Sequence, residues 1–349
     1  MSWKTQKDKR GFGGGAAARA EAIAAFWTFW PTVSRRIAEG VVSSGVDAET
    51  VEAMSRHVRA IDARLDWELG PGRVAAHHLC LSGKGDPVLR AIAERWRKDA
   101  PPADATWEYY AARQPHGSGN LSLEIGGRKL ELDALVCAIT EDTDREKLDL
   151  VVHHPAYADI DEEELKGQIM FIALDTLLGE DDVERWVGAL EMSDAAPEGA
   201  VPLGELPGRI AVFAPKCTGD RWALLQGKKD GAPIFVAKNT ALKRIDHLLL
   251  DTHLEVAISF TKPDESGLPD KAELEALDAL GDELITALGD DAVYVGRETH
   301  AGRRTLHLHV MEGGPSAAKV AAWRERHPEW RVETSVRPDP RWEILDRWG

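Results

Sequence analysis

The chain has 349 residues, 43% of them apolar, and a formal net charge of −16 at pH 7. That apolar content excludes a disordered chain, and the length makes two domains the starting expectation. The acidic balance argues against nucleic acid, which needs a basic footprint to displace counterions, and suits solubility or a basic protein partner.

Residues 1–15 (MSWKTQKDKRGFGGG) are basic, then glycine-rich, and read as a flexible tail. No strand precedes these glycines, so they do not form a dinucleotide fingerprint. A helix is expected from Ala16 toward Val42, because Ile23, Phe26, Trp27 and Trp30 recur at helical spacing; Pro31 should kink or divide it. Asp47 caps a second helix with Val51, Met54, Val58 and Ile61 on one face. Strands near 64–69 and 74–82 flank Gly70-Pro71-Gly72, and Asp86 with Pro87 opens a third helix. Strands are expected near 106–113, 121–125, 128–140 and 147–153, with Gly126-Gly127 joining the middle pair. A helix from Asp161 to Leu178 should stop at Gly179. A strand carrying Val187 and Leu190 then closes an N-terminal α+β domain over 16–192.

The span 193–208 (SDAAPEGAVPLGELPG) has the composition of an exposed, protease-sensitive linker. In the C-terminal domain, 209–349, short strands are expected near 209–214, 221–227 and 233–238, with a hairpin turn at Asp230-Gly231. The rest spells strand 253–261, helix 270–288, strands 292–299 and 303–311, helix 315–327 and strand 331–337. That β-α-β-β-α-β order is ferredoxin-like, a fold that names no function by itself. The order helix, tryptophan, strand, proline occurs over both 88–115 and 317–338, which suggests a diverged repeat. The expected fold class is therefore α+β: two domains, each a mainly antiparallel sheet with helices on one face.

Gly267-Leu268-Pro269, the Val295-Gly296-Arg297 strand, the Gly302 hairpin and the Trp330-to-Pro338 close resemble bacterial proteins carrying the domain of unknown function 695. The segment Leu174 to Glu180 is similar to one found upstream in larger proteins of that kind. That family has no assigned activity, and its fold is similar to ferredoxin-like regulators that inhibit ribonuclease E by binding it. The resemblance therefore implies protein binding and carries over no catalytic residue. The family pattern often places an aromatic where this chain has His309, so a histidine site would not be a family property.

His307-Leu308-His309 is the sharpest local candidate for chemistry. Residues two apart on a strand share a face, and two imidazoles can serve one zinc, with His300 or Glu312 as a third ligand. Against this, Leu306, Leu308 and Val310 take the core face. The histidines are then ordinary sheet-surface groups without metal, and replacing both by Asn should change stability by no more than about 0.5 kcal/mol. The doublets His77-His78 and His153-His154 each split across a strand and can chelate only if their strands pair. Cys80 shares a face with His78, the layout of a cysteine nucleophile with its base, although buried structural cysteines are commoner. The acidic runs Asp159 to Glu164 and Glu180-Asp181-Asp182 sit at helix starts, where they complement the helix dipole.

No apolar run approaches the ~20 residues of a membrane span. No signal-peptide core is present, and three scattered cysteines, Cys80, Cys137 and Cys217, suit a reducing cytoplasm. The function expected is that of a cytoplasmic, non-catalytic regulatory or immunity-type protein, binding another protein through an acidic surface. It would need no cofactor and could form a homodimer. The competing expectation is a metal-assisted enzyme on the His307/His309 face.

Overall fold

In the computed structural model, which describes residues 12–43, 45–116, 122–125, 128–217, 219–261 and 263–348, the chain divides between Arg113 and Gln114. The first unit, Met1–Arg113, contains α1 (Phe12–Val42), α2 (Ala48–Ile61), β1 (Asp66–Pro71), β2 (His77–Ser82), α3 (Pro87–Lys98) and β3 (Trp107–Tyr110). Asp47 accepts the Thr50 amide, and Asp86 those of Val88 and Leu89, so both expected caps form. The helix α1 begins at Phe12, inside the expected tail; residues 1–11 lie outside the described ones. It also runs unbroken through Pro31. Proline removes one helical hydrogen bond, but Phe26 and Trp30 before it and Val33 and Ile37 after it are all buried in one core. That burial outweighs the missing bond.

β1 pairs antiparallel with β2, but β2 pairs parallel with β3. A parallel neighbour needs a crossover, which α3 supplies. The first sheet is therefore mixed rather than mainly antiparallel.

The second unit, Gln114–Gly349, begins with the pair β4 (Ser122–Ile125) and β5 (Arg128–Glu131). The expected Gly126-Gly127 turn lies outside the described residues. The expected strand 128–140 is cut by a short 3-10 turn, and the chain continues as β6 (Val136–Asp142) and β7 (Lys147–His153). Next comes α4 (Glu163–Trp186), which bends at Gly179 (φ 76°) and resumes instead of stopping. The second piece is held because Trp186 is buried against Phe213. β8 (Val187–Met192) and β9 (Val201–Pro202) complete a sheet in the order β8-β7-β6-β9.

The span 193–208 does not separate the two units: it lies inside the second, and although most of its residues are exposed it is anchored by pairing and packing. β9 pairs with β6, and Leu203 and Leu206 are buried in the same core as Leu150 and Leu174. The expected strand 209–214 is the end of α5 (Leu206–Phe213), where Leu206, Ile210 and Phe213 recur at helical spacing and are all buried. Ion pairs then tie this part to the segment 221–246: Glu146 holds Arg221 at 2.7 Å and Lys243 at 2.8 Å, while Arg185 meets Asp246 and Arg244 meets Glu184. A protease cut within 193–208 is expected to leave the two halves associated, as gel filtration of the nicked protein would show; separation would contradict this packing.

The remaining elements are β10 (Trp222–Lys229), β11 (Ala232–Asn239), β12 (Thr252–Ser259), α6 (Lys271–Leu288), β13 (Ala292–His300), β14 (Arg303–Val310), α7 (Ser316–Arg326) and β15 (Arg331–Pro338). They contain the expected β-α-β-β-α-β order. All six strands pair antiparallel in one sheet ordered β10-β11-β13-β14-β12-β15. β15 lies antiparallel to β12 whereas β3 lies parallel to β2, so the two helix-tryptophan-strand segments do not pair alike. On one face Leu254, Val256, Ile258, Leu306, Leu308 and Val310 pack under α6 and α7, against Leu277, Leu284, Val320 and Trp323.

Glycine is required by local geometry in two settings. Asp230-Gly231 and Ala301-Gly302 both have positive φ at successive residues, the tight hairpin turn that a right-handed sheet twist prefers. At Gly296 a Cβ would lie 2.4 Å from the Ala237 carbonyl, so β11 and β13 can approach only with glycine there.

Candidate functional site

The helix-free face of the six-stranded sheet carries His253 and Glu255 on β12, His307 and His309 on β14, Glu298 on β13 and Arg337 on β15. Register places His253 opposite His309 and opposite Arg337, and Glu255 opposite His307. This face is not open. The chain after β15 folds back over it, placing Trp342 and Ile344 in the interior and Trp348 against His307. His253, His307 and His309 are each fully buried. The expectation of surface histidines is thereby corrected: alternation separates the two faces of a strand but does not reveal that the second face is covered as well. Replacing both His307 and His309 by Asn is consequently expected to cost several times the ~0.5 kcal/mol of an exposed change, measured by urea unfolding.

Hydrogen-bond chemistry fixes the order of protons here. Arg337 Nε lies 3.2 Å from His253 Nδ1, and a guanidinium can only donate. His253 Nδ1 must accept, so its proton sits on Nε2 and donates to His307 Nδ1 at 3.1 Å. His307 is left with its proton on Nε2, which has no hydrogen-bond partner and points toward Glu298 Oε1 at 3.9 Å. Glu298 Oε1 accepts from the Trp348 indole at 2.7 Å. Burial pushes His253 down to about 4, aided by His309 and Arg337. Burial pushes His307 down to about 3, aided by His253 and Arg347. Both rings are neutral at pH 7.

A second set surrounds His309. Its Nδ1 donates to the Leu250 carbonyl at 3.0 Å, and its Nε2 faces Asp339 Oδ2 at 3.5 Å. Trp342 stacks on the ring at 4.1 Å and donates to the same carbonyl. Burial would raise the Asp339 carboxyl, but His309 and the Glu343 and Ile344 amides hold it below the usual range.

Among the described residues, His253, Glu255 and His307 are the group able to offer a metal three ligand atoms, all within 4.8 Å of one another. The two alternatives for a third ligand do not join them. His300 turns its Nδ1 to the Pro233 carbonyl at 3.0 Å, and Glu312 lines a groove on the helix side with Val310, Val320 and Val336. The proton order above opposes chelation. A metal between His253 Nε2 and His307 Nδ1 would need lone pairs on both and would turn a His253 N–H against Arg337.

Other histidine candidates are tied to backbone carbonyls. His78 Nδ1 meets the Pro71 carbonyl, His153 Nδ1 that of Ser193 and His154 Nε2 that of Glu131. The strands β2 and β7 belong to different sheets, so the doublets are not partners. Glu163, in the acidic run at the start of α4, pairs with Lys166 at 3.0 Å.

A feature that sequence reasoning does not single out lies at the other end of the sheet. The strands β10 and β11 extend past the helix layer. Trp222 (44% exposed), Leu224 (81%) and Phe235 (40%) stay open on the helix-side face, with Leu274 of α6 (39%) across from them. Between Leu224, Phe235 and Leu274 is a cavity of about 410 Å³ whose walls include Leu268, Pro269 and Ala237. Its floor holds Arg304, which donates to Asp278 at 2.6 Å and to Thr299 at 3.1 Å. Among the described strands, none pairs with the outer side of β10.

Residues 220–346 match a family of unknown function, DUF695. That is the C-terminal third, which holds the resembling stretches from Gly267 to Pro338; the segment Leu174 to Glu180 lies outside the match. No curated protein and no solved structure matches the chain. Among the described residues, no helix is long and apolar enough to cross a membrane.

Proposed function

We propose that this chain is a non-catalytic cytoplasmic regulatory or immunity-type protein that binds a basic protein partner. The observation that supports it is the apolar face of β10 and β11, exposed among the described residues and flanked by an edge that no described strand pairs. Contiguous exposed apolar surface of this kind marks interaction sites, and an unpaired edge is a ready template for another chain. The net charge of −16 would steer a basic protein toward it. The similarity of the β-α-β-β-α-β order to that of ferredoxin-like binding regulators supports the same reading.

Photo-cross-linking in the native host tests this, with the reactive side chain at Leu224 or, as control, at Ile172, an exposed apolar position elsewhere. One discrete adduct from Leu224 only is expected, and the purified adduct partner should bind the free chain in solution. Diffuse adducts, or the same ones from both positions, would remove the proposal's basis.

The second reading, a metal-assisted enzyme, is favoured by the convergence of His253, Glu255 and His307. Elemental analysis of protein purified without a histidine tag separates the two. We expect no stoichiometric metal; zinc near one per chain, lost in His253→Asn, would favour the enzyme.

A further inference from the structure

The geometry points to a partner that contributes an extended segment to the edge of β10 that no described strand pairs, with apolar side chains over Leu224 and Lys or Arg toward the first turns of α6. This deepens the binding reading and rests on it. The eight residues of β10 hydrogen-bond to β11 on one side and present their outward backbone groups on the other. A strand laid there would satisfy those groups, whereas a helix would leave them to water. Its alternate side chains would stand beside Trp222 and Leu224, at the ~5 Å spacing of cross-strand neighbours. They would continue the apolar row that Phe235 and Leu274 begin.

Charge selects the rest of the sequence. Next to Leu268, Pro269 and Leu274 in the chain stand exposed Glu265 and Asp270, together with Glu275, which faces Lys271 at 3.8 Å. Opposite charges across a rim set orientation and encounter rate more than affinity. A second copy of this chain is disfavoured as occupant, because two bodies of charge −16 repel.

Selection of short random peptides displayed against the full chain provides the test, since it needs no knowledge of the natural partner. The expected winners alternate apolar residues and carry Lys or Arg. They should slow hydrogen exchange of β10 amides and lose roughly tenfold or more in affinity against Leu224→Asp, as central interface residues do. Leu224 is exposed, so that variant should keep the wild-type melting temperature, which serves as the folding control. Winners that bind as helices, or that leave β10 exchange unchanged, would overturn strand addition while leaving the binding reading intact. A chain that enriches no peptide, and forms no adduct in the cross-linking experiment, would overturn both.

Discussion

Between pH 6.5 and pH 5 the second unit is expected to lose about 3 kcal/mol of stability, roughly 1.6 for each of His253 and His307. The folded rings titrate at about 4 and about 3, whereas an unfolded histidine titrates near 6.5. Below 6.5 the unfolded chain takes up protons that the folded one refuses, so stability falls as pH falls. The loss continues until the folded rings begin to protonate. The charges around the pair act both ways: His309, Arg337 and Arg347 oppose a proton on His253 and Asp339 favours one. Arg347, Arg337 and Lys229 oppose a proton on His307, whose ring has Glu255 and Glu298 carboxylates at 3.9 Å. Carboxylate protonation dominates acid unfolding only at lower pH, and burial also lowers the pKa of His247, so the window from 6.5 to 5 reports these histidines together. Urea midpoints measured across it, at constant ionic strength, should fall steadily. A flat profile would mean that the rings are already charged, or open to water.

Removing the lid should cost nearly as much. Trp342 is almost fully buried, stacks on His309 and His247, and donates to the Leu250 carbonyl. Truncation of such a tryptophan costs about 3–5 kcal/mol. Trp342→Ala should also expose the imidazoles behind it, so their reaction with diethyl pyrocarbonate should accelerate. Trp342→Phe keeps a ring and loses one hydrogen bond, a change of about 1 kcal/mol. Equal losses in both variants would show that the hydrogen bond, rather than packing, holds the lid.

What could be read from the sequence was set by local rules. Asp47 and Asp86 announce helix starts because their side chains reach amides two or three residues on. The last four strands show themselves by alternation. The linker reading fails because prolines and glycines in 193–208 mask three apolar residues, Val201, Leu203 and Leu206, that pack inward or pair. The segment 209–214 reads as a strand because a short apolar run fits either period. At the histidine layer, His307 and His309 are legible as a pair. His253 is not, lying 54 residues before the ring it bonds, and neither is Arg337, 84 residues after His253. No local spacing encodes a contact made across strands, and nothing local says that residues 339–348 return to cover it.

The position of β12 has a consequence for how this protein is made. It sits between β14 and β15, both of which come later in the chain. During synthesis, at roughly 5–20 residues per second, Leu254, Val256 and Ile258 therefore emerge several seconds before either neighbour exists. An unpaired, apolar strand in that interval invites association between nascent chains, and long-range pairing of this kind closes slowly even once the chain is complete. Yield of native protein should therefore depend on translation rate and chaperone supply more steeply than its equilibrium stability would suggest.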